Sequence, residues 1–284
     1  MLNEIIVNHF ANNQKLSLEH RDSLYPVFAS CEVEPSKKYY FKKVVGKCLR
    51  AAYLDCIGYG TSDKEVGNLG RKISQKLGDA SERAVLNLLS DANVLIDKNI
   101  KFKIEDLFIS GKLDGIVNLF NKEYGLEIKS LSSNQFIINQ IFGSPWNSNP
   151  SPKIDHVLQV IPYLYAFRDR LDKFILYYIR RDNGDVKEFM VEFAAFENDM
   201  IIVIDGIPNY DITLNKVIGR FKALKTFIDS NVIPPPDFIA EYSKKDIEFL
   251  KVNGCLSQKR YDLLSSIGGC DFECTNCSYR ALCK

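Results

Sequence analysis

The chain has no surplus of either charge. Its 37 Lys and Arg face 36 Asp and Glu, which leaves a net charge of +1 over 284 residues. That excludes a polybasic nucleic-acid binder, and any basic surface must be local and offset elsewhere. The chain also lacks an uninterrupted apolar run of about 18 residues, so no membrane-spanning helix is expected. Met1 to Phe10 carries Glu4 and His9 with no basic run ahead of an apolar stretch, so no secretory leader is read there. The expectation is a soluble, cytoplasmic protein with no membrane partner. There is no internal repeat and no long low-complexity tract. Apolar residues at 46% and charged residues at 26% are ordinary globular usage, which argues against a disordered or fibrous chain.

Cysteine is missing from Asp63 to Gly254, yet the chain holds 8 of them. Cys31, Cys48 and Cys56 lie near one end; Cys255, Cys270, Cys274, Cys277 and Cys283 lie near the other. In a reducing compartment a disulfide framework is not expected. Two separated clusters suggest instead that the ends of the chain meet at a metal or cluster.

Helices are expected over Leu16–Phe28 and Lys37–Asp55, the second on an apolar period of Tyr40, Val44, Val45, Cys48, Leu49, Ala52 and Tyr53. A long helix is expected over residues 63–91. Short strands follow over Ala92–Val117 and Tyr124–Lys129, with turns at Ser110-Gly111 and Asn121-Lys122. Ile154–Arg168 reads as helix, Lys173–Arg180 as strand, Asp182-Asn-Gly-Asp as a hairpin turn and Val186–Phe193 as its return strand. Asn198–Ser230 reads as helix with a break at Pro208, ended by Pro234-Pro-Pro. This order is an α/β core flanked by helical segments at both ends. One domain of 1–284 is expected: 1–62 as the N-terminal helical segment, 63–205 as the core, and 206–284 as the C-terminal helical and Cys-rich segment.

The informative stretch is Ile109-Ser-Gly-Lys-Leu-Asp-Gly-Ile-Val followed by Tyr124-Gly-Leu-Glu-Ile-Lys-Ser. Glu127 and Lys129 are two residues apart on one strand, so they share a face while Ile128 takes the other. Asp114 is near enough in sequence to converge with them across a hairpin. Two carboxylates bind a hard cation through oxygen, and Mg²⁺ typically uses one or two of them. A neighbouring lysine can orient water or offset charge on a phosphate under attack. The plainer alternative is a solvated same-face ion pair. Glu82, on the long helix, is placed to add a third carboxylate, or else pairs with Arg83 or Lys76. Gln159 and Tyr163 are i, i+4 partners on one helical face, suited to contacting a substrate or a carboxylate, or else to core packing.

In this order, Glu82, Gly111-x-x-Asp114, Glu127-Ile128-Lys129 and Gln159-x3-Tyr163 resemble the PD-(D/E)xK nuclease superfamily, closest to its RecB-like exonuclease branch. The resemblance spans roughly residues 70–195. It implies a restriction-endonuclease-like core, a mixed central sheet flanked by helices. It also implies hydrolysis of DNA, at single-stranded ends, with Mg²⁺ or Mn²⁺ held by Glu82, Asp114, Glu127 and the Ile128 carbonyl. Lys129 would assist the attacking water, and Gln159 and Tyr163 would line the DNA path. Many members carry a helix His where this chain has Glu82.

Cys274-Thr-Asn-Cys277-Ser-Tyr-Arg-Ala-Leu-Cys283 is C-x2-C-x5-C. Three close thiolates need a fourth ligand to close a tetrahedral zinc site or a four-iron cluster. Cys48 is the candidate, with Cys31 or Cys56 able to replace it and Cys270 able to compete with Cys274. The pattern is similar to the iron–sulfur nucleases of the same branch, the AddB-type and CRISPR-associated Cas exonucleases, with Leu49 where they have proline. That resemblance implies a [4Fe–4S] staple joining the two ends; a Cys₄ Zn²⁺ site is the alternative. Cys255 and Cys56 read as small core hydrophobes. Lys42, Lys43, Lys47 and Arg50, and Arg180 with Arg181, are local basic runs able to meet phosphates. The rival to an enzyme is a nuclease-fold module that binds nucleic acid or a partner without cutting.

Overall fold

The computed structural model describes residues 48–59, 69–107, 109–132, 134–145, 148–275 and 277–283. The helix expected over Leu16–Phe28, the start of the one over Lys37–Asp55, and Cys31, Lys42, Lys43 and Lys47 lie outside the described residues. The described chain begins with α1 (Leu49–Cys56) and α2 (Leu69–Asp91), followed by β1 (Leu95–Ile104), a 3₁₀ turn (Glu105–Leu107), β2 (Ile109–Leu119) and β3 (Lys122–Leu131). Then come α3 (Gln135–Phe142), α4 (Ile154–Ala166), β4 (Lys173–Arg180), β5 (Val186–Phe196), β6 (Asp199–Ile204), β7 (Ile207–Thr213) and α5 (Leu214–Ser230). The tail forms α6 (Lys244–Val252), α7 (Gln258–Ile267), α8 (Phe272–Thr275) and a last 3₁₀ turn (Arg280–Cys283).

The strands form one seven-stranded sheet in chain order, β1 to β7. Tight turns join antiparallel neighbours. Phe120 and Asn121 (φ 55 and 62) turn β2 into β3, and Asp205 and Gly206 (φ 48 and 79) turn β6 into β7. Two central residues at positive φ are the two-residue hairpin whose twist suits a sheet. β3 and β4 are parallel and cannot be joined that way, so the chain crosses over through α3 and α4. This crossover lays α4 on the sheet face that carries the odd-numbered residues of β3.

Period two divides the faces of β3 and β4. Leu126 and Ile128 of β3, with Val117 and Ile175, pack under Val85 and Leu86 of α2. The opposite face, with Leu113, Ile116, Leu176 and Tyr178, packs against Val157, Val160 and Ile161 of α4 and Phe221 and Leu224 of α5. Each large side chain fully buried there contributes roughly 1.5–3 kcal/mol relative to exposure.

Two expectations are corrected. The stretch from Asn198 is not helical until Leu214; it is the β6–β7 hairpin first. The β-branched run Ile201-Ile-Val-Ile and the Asp205-Gly206 turn outweigh helix periodicity there, and Pro208 is tolerated because β7 is an edge strand. A boundary at 205 therefore cuts a hairpin. Ser110 and Gly111, expected as a turn, lie inside β2; the chain breaks earlier, at Glu105–Leu107.

The two ends of the described chain do meet. The Leu49 N–H at the start of α1 donates to Asp237 Oδ2 at 2.6 Å, and Arg220 holds the same carboxylate at 2.7 and 3.1 Å. Arg50 Nε donates to the Pro234 carbonyl at 2.8 Å. Tyr279 of the tail donates to Asp55 at 2.6 Å. No helix among the described residues is long and apolar enough to cross a membrane.

Candidate functional site

The β2–β3 ladder runs from Leu119 opposite Lys122 to Gly115 opposite Leu126 and then opens. Continued, it would set Ile128 opposite Leu113. Instead the Asp114 side chain enters the gap, and its Oδ2 accepts the Ile128 N–H at 2.8 Å. In an extended strand the N–H and C=O of one residue project from the same edge. The Ile128 carbonyl therefore faces the same fork as the Asp114 carboxylate.

Glu127 and Lys129 project together on the α4 side. Lys129 Nζ donates to Glu127 Oε1 and to Gln159 Oε1, each at 2.6 Å. Gln159 Nε2 donates to Glu127 Oε1 as well, and lies 3.1 Å from the Tyr163 hydroxyl, which donates to the Lys112 carbonyl at 3.3 Å. This closed network joins β2, β3 and α4. Glu82 approaches from α2, with Oε1 3.8 Å from Lys112 Nζ, and its charge acts on Asp114 and Glu127. The expected same-face pairing of Glu127 and Lys129 is present, but it is not a solvated surface pair: Glu127 is 2% exposed. The buried polar side chains among the described residues are Asp114, Glu127, Gln159 and Thr213. Three of those four belong to the expected site.

Burial of this kind costs free energy unless charge is compensated. Burial first, then the charges of Glu127 and Glu82, push the Asp114 carboxyl up to about 8. Burial also raises Glu127, against the lowering effect of Lys129. The Glu127 Oε2 atom is buried with no hydrogen-bond partner among the described residues. A buried carboxylate oxygen without a donor, beside a second carboxylate and a backbone carbonyl, is a set of hard oxygen donors short of positive charge, and a divalent cation fits it chemically. Among the described residues, however, no three His, Cys, Asp or Glu side chains already form a group fit to hold a metal ion.

Gly111 is needed for its lack of a side chain. A Cβ there would lie 2.7 Å from the Phe102 ring and 3.3 Å from the Tyr163 ring. Those two rings pack edge to face, 5.3 Å between centroids, so Gly111 lets Tyr163 reach Gln159.

Sequence reasoning assigned nothing to His156 and Tyr178. Lys129 and Tyr178 are register partners on β3 and β4, and His156 Nδ1 lies 2.9 Å from the Tyr178 hydroxyl. Burial, then the Lys129 charge, push the imidazole down to about 3, so His156 is neutral. The signal in the sequence was spacing: His156 lies one turn before Gln159.

The basic runs are largely committed elsewhere. Arg180 pairs with Asp182 and Asp185, and Arg181 donates to the Ser74 and Leu131 carbonyls. Arg50 Nη1 lies 3.1 Å from the Leu282 carbonyl and 3.9 Å from Cys283 Sγ.

The tail thiols gather near α1. Cys48, Cys270 and Cys283 pack around buried Phe238, Ala240 and Cys274. Burial first, then Asp271, Cys277, Cys270 and Cys48, push the Cys274 thiol up to about 12. A thiol held un-ionised by burial and by its acidic and thiol neighbours fits a soft cationic centre, which would favour its thiolate. Cys255 is buried and apart, with Sγ 3.6 Å from the Asn253 carbonyl. Cys56 packs against the main core. Both match the expectation of core hydrophobes.

No protein-family model and no curated protein matches the chain. Among solved structures, it is similar to "Crystal structure of SSO0001", at 15% identity and a TM-score of 0.43, covering 92% of this chain and 98% of that chain.

Proposed function

We propose that this chain hydrolyses phosphodiester bonds in DNA with a divalent cation, as an exonuclease acting on single-stranded ends. The observation that carries the reading is the orphaned, buried Glu127 Oε2 beside Asp114 and the Ile128 carbonyl at the opened β2–β3 ladder. Asp114, Glu127, the Ile128 carbonyl and Glu82 would hold Mg²⁺ or Mn²⁺. When bound, that ion supplies Lewis acidity to a phosphoryl oxygen and to the attacking water. Lys129, tethered by Glu127 and Gln159, orients the water and offsets the charge that grows on the phosphate oxygens. Water oxygen bonds to phosphorus as the bond to the leaving sugar oxygen breaks, and that oxygen takes up a proton. Gln159 and Tyr163 fix Lys129 from behind and border the strand. Cys48, Cys274, Cys277 and Cys283 hold a [4Fe–4S] cluster, or Zn²⁺ in the alternative, as a staple with no redox step.

End-labelled single- and double-stranded DNA, incubated with the purified protein in Mg²⁺, Mn²⁺ or EDTA, tests the reading. Shortening of single-stranded ends with either metal and none in EDTA supports it. Wild-type cleavage by a folded Asp114→Ala protein would remove the site assignment, and tight binding without cleavage in any metal would favour a non-cutting module.

A further inference from the structure

Resting on the nucleic-acid reading above, we infer that His156 presents a fixed Nε2–H donor to the substrate strand, one helical turn from Gln159. The Tyr178 hydroxyl accepts the Lys153 N–H at 3.2 Å. Its own proton is then left for His156 Nδ1, 2.9 Å away. An imidazole that accepts at Nδ1 carries its proton on Nε2. Nε2 has no partner among the described residues and is not one of the buried orphan atoms, so it opens to solvent.

The opening lies beside the site. Tyr178 is the register partner of Lys129, and Lys129 exerts the strongest charge effect on the imidazole. His156, Gln159 and Tyr163 follow at i, i+3 and i+7, one face of α4. His156 is thus displaced from Gln159 by about 4.5 Å along the helix axis. A neutral N–H there suits a non-bridging oxygen of the phosphate next to the one under attack. Phosphate contacts of this kind set register without reading sequence. Tyr178, wedged edge-to-face against Phe189 and fully buried, keeps the ring from turning.

Two substitutions separate the two ring nitrogens. Asn reaches the position of Nδ1 and keeps the Tyr178 bond; Gln reaches the position of Nε2 and keeps the strand contact. A fluorescent single-stranded oligonucleotide in EDTA, followed by anisotropy, reads binding without cleavage, and melting reads the fold. His156→Asn should weaken binding roughly tenfold or more, as loss of a hydrogen bond to a charged group does, with a wild-type Tm. His156→Gln should restore wild-type binding even where its Tm falls. If His156→Asn does not fold, Tyr178→Phe, which frees the ring to turn, should weaken binding severalfold. Wild-type affinity in His156→Asn, failure of Gln to restore it in a folded protein, or no oligonucleotide binding by the wild type would each overturn the inference. Absence of cleavage with Mn²⁺, with this binding pattern intact, would instead remove the nuclease reading and leave the strand contact standing.

Discussion

Replacing Asp114 with Asn should make the metal-free protein more stable while ending its response to metal. The folded carboxyl titrates near 8 against an ordinary value of 3.8. Between those values the folded chain keeps a proton that the unfolded chain has released. Stability in EDTA therefore falls as pH rises through that window, the opposite of a salt-bridged aspartate. By pH 7 the accumulated cost approaches about 4 kcal/mol as a ceiling. Asn removes the ionisation, and its side-chain oxygen still accepts the Ile128 N–H. Its amide hydrogens add a desolvation cost of about 1–3 kcal/mol where they find no acceptor. A net gain of about 1–3 kcal/mol remains, worth about 2–4 °C in Tm per kcal/mol for a chain of this size class. The assay is thermal unfolding from pH 5 to 8.5, in EDTA and in Mn²⁺. Wild type should lose Tm with rising pH in EDTA and recover it with Mn²⁺, by about 2.7 kcal/mol at a hundredfold excess over Kd. Asp114→Asn should show a flatter profile and no Mn²⁺ shift. If Asp114→Asn melts at or below wild type at pH 8 in EDTA, the argument from crowded buried charge is wrong.

Lys129→Met should lower cleavage by about 10² to 10⁴-fold, the usual worth of one positioned catalytic group, while circular dichroism stays that of wild type. Gly111→Ala should drive Phe102 into Tyr163, cost about 1–3 kcal/mol as overpacking does, and weaken cleavage by loosening Gln159; a wild-type Tm and rate would remove the packing argument. Anaerobically purified protein should be brown with about four irons per chain. Cys48→Ser and Cys277→Ser should both lose iron and Tm while Cys255→Ser keeps them, and zinc without iron on elemental analysis would replace the cluster with a Cys₄ zinc site.

The α/β order, α2, β4 and the Asp182 hairpin were legible because each is a local signal: a 3.6 period, an eight-residue run of mostly aromatic and aliphatic residues, a turn tetrapeptide. The shared face of Glu127 and Lys129 followed from period two alone. What spacing could not supply was burial. Whether Glu127 is a solvated strand charge or a 2%-exposed one depends on α4 arriving across that face, and a crossover helix's placement is set by packing. The β6–β7 hairpin was missed for another reason. A short apolar run does not choose between strand and helix, and the choice here rests on the Asp205-Gly206 dipeptide alone.

The buried polar network forms where the sheet departs from regularity. An unbroken β2–β3 ladder would have paired the Ile128 N–H with backbone and turned its carbonyl into a ladder acceptor. Asp114 takes that N–H with its side chain, which opens the ladder and leaves the carbonyl facing the fork. The opening also lets α2 and α4, on opposite faces of the sheet, contribute to one place. The charges of Glu82 act on both Asp114 and Glu127, while Gln159 reaches Glu127 from the other side. A sheet that stayed closed would have kept those two helices apart. The same break explains the energetics, because carboxylates admitted into a ladder lose water and regain only part of their donors: Asp114 Oδ2 takes the Ile128 N–H and Glu127 Oε1 takes Lys129 and Gln159, while Glu127 Oε2 is left with none among the described residues. Natural chains are under selection against such a deficit where it serves no purpose, since apolar residues would fill the gap at lower cost. Its presence beside a tethered lysine is the physical ground for placing the proposed chemistry at this fork.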